Sequence, residues 1–152
     1  MLELNQFQVV SFDCYGTLID WERGILAALK QLLSNREIDF SDLFTDTAQH
    51  IKVEFDWLIT TEKVRSYKPS TRNFEIALKT MGILCEKLLH FAQSVYHDIV
   101  PAASMRISTV WVNRRHDKTG FGATQPATGE PDLEVPDLKT LVEMISFPAA
   151  SE

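Results

Sequence analysis

The sequence predicts an α/β fold built around a mostly parallel sheet. Along the 152 residues, short apolar runs typical of buried strands alternate with segments of amphipathic helical spacing. The first apolar run, residues 7–13, ends in Asp13 and is followed by a turn at Gly16. Because ligands of open α/β sheets bind at the carboxyl ends of the strands, the Asp13 carboxylate is predicted to lie at the rim of the sheet. A carboxylate at that place is a candidate covalent nucleophile.

The first half of the chain is predicted to hold three helices and a second strand. Residues 21–33 and 41–51 carry apolar side chains three and four positions apart, which indicates amphipathic helices. Residues 57–61 are predicted as a strand. The helical spacing returns over residues 73–81, where Gly82 is predicted to end the helix.

Two apolar runs in the second half, residues 88–92 and 108–113, are predicted as buried strands. A helix or turn is predicted between them at residues 98–104. Glycine and proline punctuate residues 114–136, which are therefore predicted as a long surface loop.

The end of the chain is predicted to add a short edge strand at residues 133–135 and a final helix at residues 137–145. Asp137 stands at the start of that helix, where a carboxylate can cap it. Since a chain of this length suits one domain, residues 1–152 are predicted to form a single domain.

Composition narrows the classes of function. The formal net charge of −6 argues against a broad nucleic-acid surface. The one short basic cluster, Arg114, Arg115 and Lys118, is interpreted as part of a solvated loop. No signal peptide and no membrane-spanning apolar run is apparent, and Cys14 and Cys85 are too few for a disulfide framework. The protein is therefore expected in the cytoplasm, and its histidines match no zinc pattern.

The segment Asp13-Cys14-Tyr15-Gly16-Thr17 resembles motif one of the haloacid dehalogenase (HAD) superfamily. Phosphatases of this superfamily carry a second aspartate at the position of Tyr15, which protonates the leaving group. Halide is a stable anion and needs no proton, so the segment is more similar to the dehalogenase branch. Taken alone, it is also compatible with an ordinary strand–turn in which the aspartate is a turn former.

Later segments resemble the other motifs of the type II 2-haloacid dehalogenases. Leu33-Ser34-Asn35 resembles motif two, Lys68-Pro69 followed by Phe74 resembles motif three, and residues 93–102, which include Asp98, resemble motif four. The family usually has glycine at the position of Arg106. Each segment also has a plainer interpretation: Ser34 and Asn35 can end a helix, Lys68 can be a solvated lysine and Asp98 can cap a helix.

The resemblance implies a Rossmann-like three-layer core and the hydrolysis of short 2-haloacids through an aspartyl ester. Asp13 would be the nucleophile, Lys68 its counter-ion and Thr17 a brace for its loop, while Asp98 would direct the hydrolytic water. The substrate, a small 2-haloacid or related carboxylate, would be held by five residues: Cys14, Tyr15, Ser34, Asn35 and Ser94. No cofactor or metal is implied.

The chain departs from the family between motifs one and two. About twenty residues separate Asp13 from Ser34, and the helical cap domain that the family inserts there is expected to be absent near residues 30–34. The family orders its core strands five-four-one-two-three, and too few apolar residues precede Ser34 for a full second strand. Two alternatives therefore stay open: a magnesium-dependent phosphatase using Asp13 and Asp98, and a non-catalytic protein of the same fold. A homodimer is plausible, whereas nucleic-acid or membrane partners are not expected.

Overall fold

The computed structural model describes residues 2–19, 54–120 and 124–146. Four strands in these residues form one parallel sheet in the order β1-β2-β3-β4. Their bounds are β1 Val9–Phe12, β2 Leu88–Ala92, β3 Ser108–Val112 and β4 Leu133–Val135. The predicted α/β class with a parallel sheet is confirmed.

In the described residues, four α-helices, two 3₁₀ turns and one π-helical turn accompany the sheet. The α-helices are α1 Thr61–Val64, α2 Arg72–Met81, α3 Val100–Ser104 and α4 Leu138–Ser146. The 3₁₀ turns are at Leu4–Gln6 and Cys85–Lys87, and the π-helical turn is at Val95–Ile99. None of the helices in the described part of the chain is long and apolar enough to cross a membrane.

The sheet separates two apolar clusters, which gives the three layers. Every residue of β2 is buried, and its side chains alternate between the two faces. Leu89 and Phe91 join a cluster that includes Leu141 of α4. Leu88 instead packs with Phe74 of α2 and with residues of and after α3. Burying each such leucine or phenylalanine contributes about 1.5–3 kcal/mol, so this central strand holds both helical layers to the sheet.

Helix α2 forms as its sequence predicts. Its spacing places Phe74 inward, and Gly82 ends it with the left-handed φ of 67° while donating its N–H to the carbonyl of Leu78. The predicted strands at 88–92 and 108–113, the edge strand at 133–135 and the final helix are likewise confirmed, each within one or two residues. The backbone N–H of Thr140 donates to Asp137 Oδ1 at 2.7 Å, the expected cap of α4.

The predicted strand at residues 57–61 is wrong. Residues 57–60 have no regular secondary structure, and α1 begins at Thr61. The Thr60 hydroxyl caps α1 by accepting from the N–H of Lys63, and Trp57 and Leu58 are exposed rather than buried in a sheet. Thr60, a β-branched residue typical of strands, therefore acts as a helix cap in this protein.

Several expectations lie outside the described residues. They are the helices at 21–33 and 41–51, the second core strand, and the expected site of cap loss near residues 30–34. Among the described strands, β1 pairs only with β2.

Candidate active site

The residues predicted to be catalytic come together at the carboxyl ends of β1 and β2. Asp13 follows β1 directly, and its N–H donates to the carbonyl of Phe91 at 2.9 Å, which extends the strand pairing by one residue. Asp98 lies on the π-helical turn that follows β2. Lys68 reaches them from the segment between α1 and α2. The carboxyl ends of parallel strands lie on the same side of the sheet. Asp13 and Asp98, which follow β1 and β2, therefore lie close together.

One ammonium group joins the two carboxylates. Lys68 Nζ lies 2.7 Å from Asp13 Oδ1 and 2.5 Å from Asp98 Oδ1. Asp13 Oδ2 accepts the hydroxyl hydrogen of Thr17 at 3.0 Å. The Asp98 side chain is 1% exposed, against 15% for Asp13 and 28% for Lys68. Asp13 is therefore the carboxylate of the pair that a small molecule can reach.

The ion pairs set the charge states of this cluster. Burial by itself lowers the pKa of Lys68, but the negative charges of Asp98 and Asp13, with their hydrogen bonds, outweigh it and raise the pKa above its ordinary value. Burial would raise the pKa of Asp98, but the hydrogen bond from His90 and the charge of Lys68 outweigh it and lower the pKa. Lys68 and Asp98 therefore both remain charged at neutral pH.

Thr17 fixes the loop that carries Asp13. Its side chain is fully buried, and its hydroxyl accepts the N–H of Gln93 at 2.8 Å while it donates to Asp13. Gly16 adopts a φ of 88°, a left-handed conformation that side chains with a Cβ rarely take, so the turn needs glycine there. Leu18 donates its N–H to the carbonyl of Cys14 at 3.0 Å and closes the turn.

His90 and Ser11 extend the cluster into the sheet, and sequence reasoning missed both. His90 Nε2 lies 3.1 Å from Asp98 Oδ1, and its Nδ1 lies 2.8 Å from Ser11 Oγ. A histidine inside the otherwise apolar run of β2 was the available signal. Its partners depend on strand register, which that run does not show.

Arg114 corrects the interpretation of the basic cluster as a solvated loop. This arginine is half-buried, and its guanidinium donates to the backbone carbonyl of Thr17. It follows β3 at the same edge of the sheet as Asp13, which brings it to the loop. Arg115 instead donates to the carbonyl of Thr119, and Lys118 is exposed.

The predicted substrate-binding residues differ in their exposure and in their distance from Asp13 along the chain. Cys14 is half-buried beside Asp13, where burial, and then the charge of Asp13, raise the pKa of its thiol. Tyr15 is 58% exposed on the same loop. Ser94 is buried, and its hydroxyl accepts the N–H of His97 at 3.1 Å and contacts His97 Nδ1 at 2.9 Å, so it caps the turn that carries Asp98. Ser34 and Asn35 lie outside the described residues.

No metal cluster accompanies these residues in the described ranges. No group of three or more histidine, cysteine, aspartate or glutamate side chains is placed there to hold a metal ion. A cleft of about 290 Å³ lies between residues 56–64 and α2, lined in part by Trp57, Leu58 and Ile76. Neither Lys68 nor either carboxylate lines this cleft.

Comparison with curated proteins finds haloacid dehalogenases. The chain is 29% identical over 132 residues to haloacetate dehalogenase H-2 of Moraxella sp. (strain B), a match that covers 82% of this chain and 55% of that protein. It is 32% identical over 95 residues to the (S)-2-haloacid dehalogenase of Pseudomonas sp. (strain YL), covering 62% of this chain and 38% of that protein. The chain thus spans about half or less of the length of these relatives. No protein-family model matches it.

Solved structures share the fold. The crystal structure of an L-2-haloacid dehalogenase superposes with a TM-score of 0.71 at 15% identity, covering 91% of this chain and 99% of that chain. A HAD phosphatase from Thermococcus onnurineus superposes with a TM-score of 0.52 at 21% identity, covering 71% of this chain and 46% of that chain. The HAD-like fold and the resemblance to the 2-haloacid dehalogenases that the motifs indicate are confirmed.

Proposed function

We propose that this chain, a relative of the 2-haloacid dehalogenases of the HAD superfamily, hydrolyses short 2-haloacids through an ester formed on Asp13. The observation that carries the proposal is the Lys68 ammonium, which contacts both Asp13 Oδ1 and Asp98 Oδ1. The names of the curated relatives, haloacetate dehalogenase and (S)-2-haloacid dehalogenase, support the substrate class.

In the first step, an oxygen of Asp13 attacks the carbon that bears the halogen. The new carbon–oxygen bond forms as the carbon–halogen bond breaks, and halide leaves with the electron pair. Lys68 and Thr17 hold the carboxylate by its two different oxygens, which orients it for attack. Halide needs no proton, so Tyr15, in the place of a phosphatase's second aspartate, does not impede this step.

In the second step, water attacks the ester carbonyl carbon, and the bond from that carbon to the ester oxygen breaks. The 2-hydroxy acid leaves with one proton from the water, the other proton is released, and the Asp13 carboxylate is restored. The lowered pKa of Asp98 makes it a weak base. Its role is therefore to orient the water and to hold Lys68 beside the ester.

The remaining assignments follow the same proposal. Cys14 and Tyr15 lie on the nucleophile loop, where they can border the substrate, while Ser34, Asn35 and Ser94 complete the proposed binding set. No cofactor or metal is required, because Asp13 supplies the nucleophile and Lys68 the positive charge. We further propose a cytoplasmic protein that can form a homodimer. The short spacing between Asp13 and Ser34 supports the further proposal that the cap domain, which excludes water, is missing and that turnover is slower than in a capped relative.

The test is halide release from a short (S)-2-haloacid by the wild type, with Asp13→Asn as the matched variant. A single turnover in oxygen-18 water, followed by mass spectrometry of the peptide that contains Asp13, distinguishes the two routes. Label in Asp13 supports the ester route. Label that enters the product directly, or release that survives in Asp13→Asn, contradicts it.

Assays of the same protein preparation also test the two alternatives, a magnesium-dependent phosphatase and a non-catalytic protein. Magnesium-dependent release of phosphate from a phosphate monoester would indicate the phosphatase, which the comparisons do not favour. A folded wild type that shows neither activity would indicate a non-catalytic protein of this fold.

A further inference from the structure

We infer that His90 is a positioning residue that holds the Asp98 carboxylate in place for hydrolysis of the ester, and that Ser11 fixes the His90 ring. This inference rests on the proposed function and goes beyond the residues assigned to it above. It is carried by a line of contacts that runs from Ser11 through His90 and Asp98 to Lys68.

The sheet builds this line. Ser11 and His90 are direct partners in the parallel pairing of β1 with β2, so their side chains lie on the same face. The His90 ring packs against Phe74 of α2 in a T-shaped arrangement, with the ring centroids 4.9 Å apart and the planes at 85°. His90 is 4% exposed and Asp98 is 1% exposed. The ring is therefore held by packing as well as by its two polar contacts.

The chemistry of the contacts assigns the proton on the ring. Ionised Asp98 can only accept hydrogen bonds, so the contact at 3.1 Å requires a hydrogen on His90 Nε2. The other ring nitrogen, Nδ1, lies 2.8 Å from the Ser11 hydroxyl, which can either donate to it or accept from it. Both ring nitrogens are occupied, so His90 acts on the reaction through Asp98 and does not contact the reacting atoms.

The two donors on Asp98 arrive from different elements. His90 belongs to the sheet, whereas Lys68 belongs to the segment between α1 and α2, and both contact the same oxygen, Oδ1. When Asp13 becomes an ester it loses its negative charge, and Asp98 is then the remaining anionic partner of Lys68 in the cluster. The hydrogen bond from His90 keeps the Asp98 carboxylate in place if the Lys68 ammonium shifts. Removing His90 should therefore slow hydrolysis of the ester, which is the second step, rather than formation of the ester.

The experiment separates the two steps with rapid-quench halide release and mass spectrometry of the ester, using wild type, His90→Phe and His90→Gln. His90→Phe keeps a ring against Phe74 and removes the donor, whereas His90→Gln restores an N–H donor. We expect His90→Phe to release one equivalent of halide per site at the wild-type rate. It should then turn over about 10- to 100-fold more slowly, with ester accumulating. His90→Gln should recover most of the loss.

A matched control is Val135→Ala, which changes a buried residue of β4 in the apolar cluster on the opposite face of the sheet from His90. It should leave both steps unchanged. If His90→Phe does not fold, Ser11→Ala takes its place: it removes only the Nδ1 partner and should slow hydrolysis, but not halide release.

The outcomes that overturn the inference are distinct from those that overturn the proposed function. An active wild type whose hydrolysis step is unaffected by His90→Phe or Ser11→Ala, or whose halide burst slows instead, overturns the role of His90 alone. A folded wild type that releases no halide overturns the proposed function, and the role of His90 with it.

Discussion

The carboxylates of Asp13 and Asp98 contact the same ammonium group, with Lys68 Nζ at 2.7 Å from one and 2.5 Å from the other. Two carboxylates this close to one point would repel each other without a cation between them. The lysine therefore sets the charge of the cluster as well as its geometry.

Replacing Lys68 tests this relationship directly. In Lys68→Met the two carboxylates lose their shared partner, so one of them should take up a proton and Asp13 should lose its orientation. We expect halide release to fall by at least about 100-fold, measured under single-turnover conditions. Lys63→Met is the control, because Lys63 contacts the carbonyl of Leu58 and neither carboxylate. Wild-type rates in Lys68→Met would contradict the assignment.

The pKa shifts predict how stability depends on pH. Because folding lowers the pKa of Asp98, its contribution is fully present above the ordinary value of 3.8 and is lost as the pH falls through the lower folded value. Because folding raises the pKa of Lys68, its contribution is fully present below 10.5 and is lost as the pH rises through the higher folded value. Urea unfolding measured from acid to alkaline pH should show the free energy of unfolding falling at both ends of the range. Asp98→Asn should flatten the acid limb and Lys68→Met the alkaline limb, and unchanged limbs would refute the linkage.

Thr17 should be required for both folding and turnover. Thr17→Val keeps the volume but removes the donor to Asp13 and leaves the N–H of Gln93 without its acceptor. We expect the free energy of unfolding to fall by about 1–3 kcal/mol, together with a loss of halide release. Urea unfolding and the halide assay check the two effects. Thr17→Ser keeps the hydroxyl and should retain most of both, and equal behaviour of the two variants would show that the hydroxyl has no role.

Arg114 should affect the nucleophile loop from a distance. Its guanidinium donates to the carbonyl of Thr17, so Arg114→Met should loosen the loop and lower kcat, with a smaller effect on KM. Lys118→Met is the matched control, since Lys118 is an exposed member of the same basic cluster. Steady-state halide release measures both variants. Identical kinetics in the two variants would show that the contact of Arg114 with the loop does not affect turnover.

Arg106 adopts the left-handed conformation that the family's usual glycine suggests, with a φ of 60°. Arg106→Gly should relieve strain and raise the free energy of unfolding by up to about 1 kcal/mol, without changing turnover. Arg106→Val is the opposite control, because a β-branched side chain resists this conformation and should destabilise the protein. Urea unfolding of the three proteins ranks them, and valine more stable than glycine would contradict the backbone argument.

The sequence determined the parts of the fold that depend on local patterns. The apolar runs of β2 and β3, the helical spacing of α2 with its glycine end, and the aspartate cap of α4 each rest on residues a few positions apart. The order Asp13, Gly16, Thr17 likewise indicated the loop and its candidate nucleophile. The same local reasoning gave the wrong element at residues 57–61, because it could not tell whether Thr60 would pair in a sheet or cap a helix.

Only the tertiary structure decided how distant residues combine. The parallel register of β1 and β2 places Ser11 opposite His90, the path of the segment before α2 brings Lys68 between two carboxylates, and the end of β3 brings Arg114 to Thr17. These contacts join residues far apart in sequence, and no short pattern encodes the strand order and register that create them. The chemistry of each side chain was present in the sequence, whereas its partners and its burial, which set its charge state and role, came from the packing of the sheet.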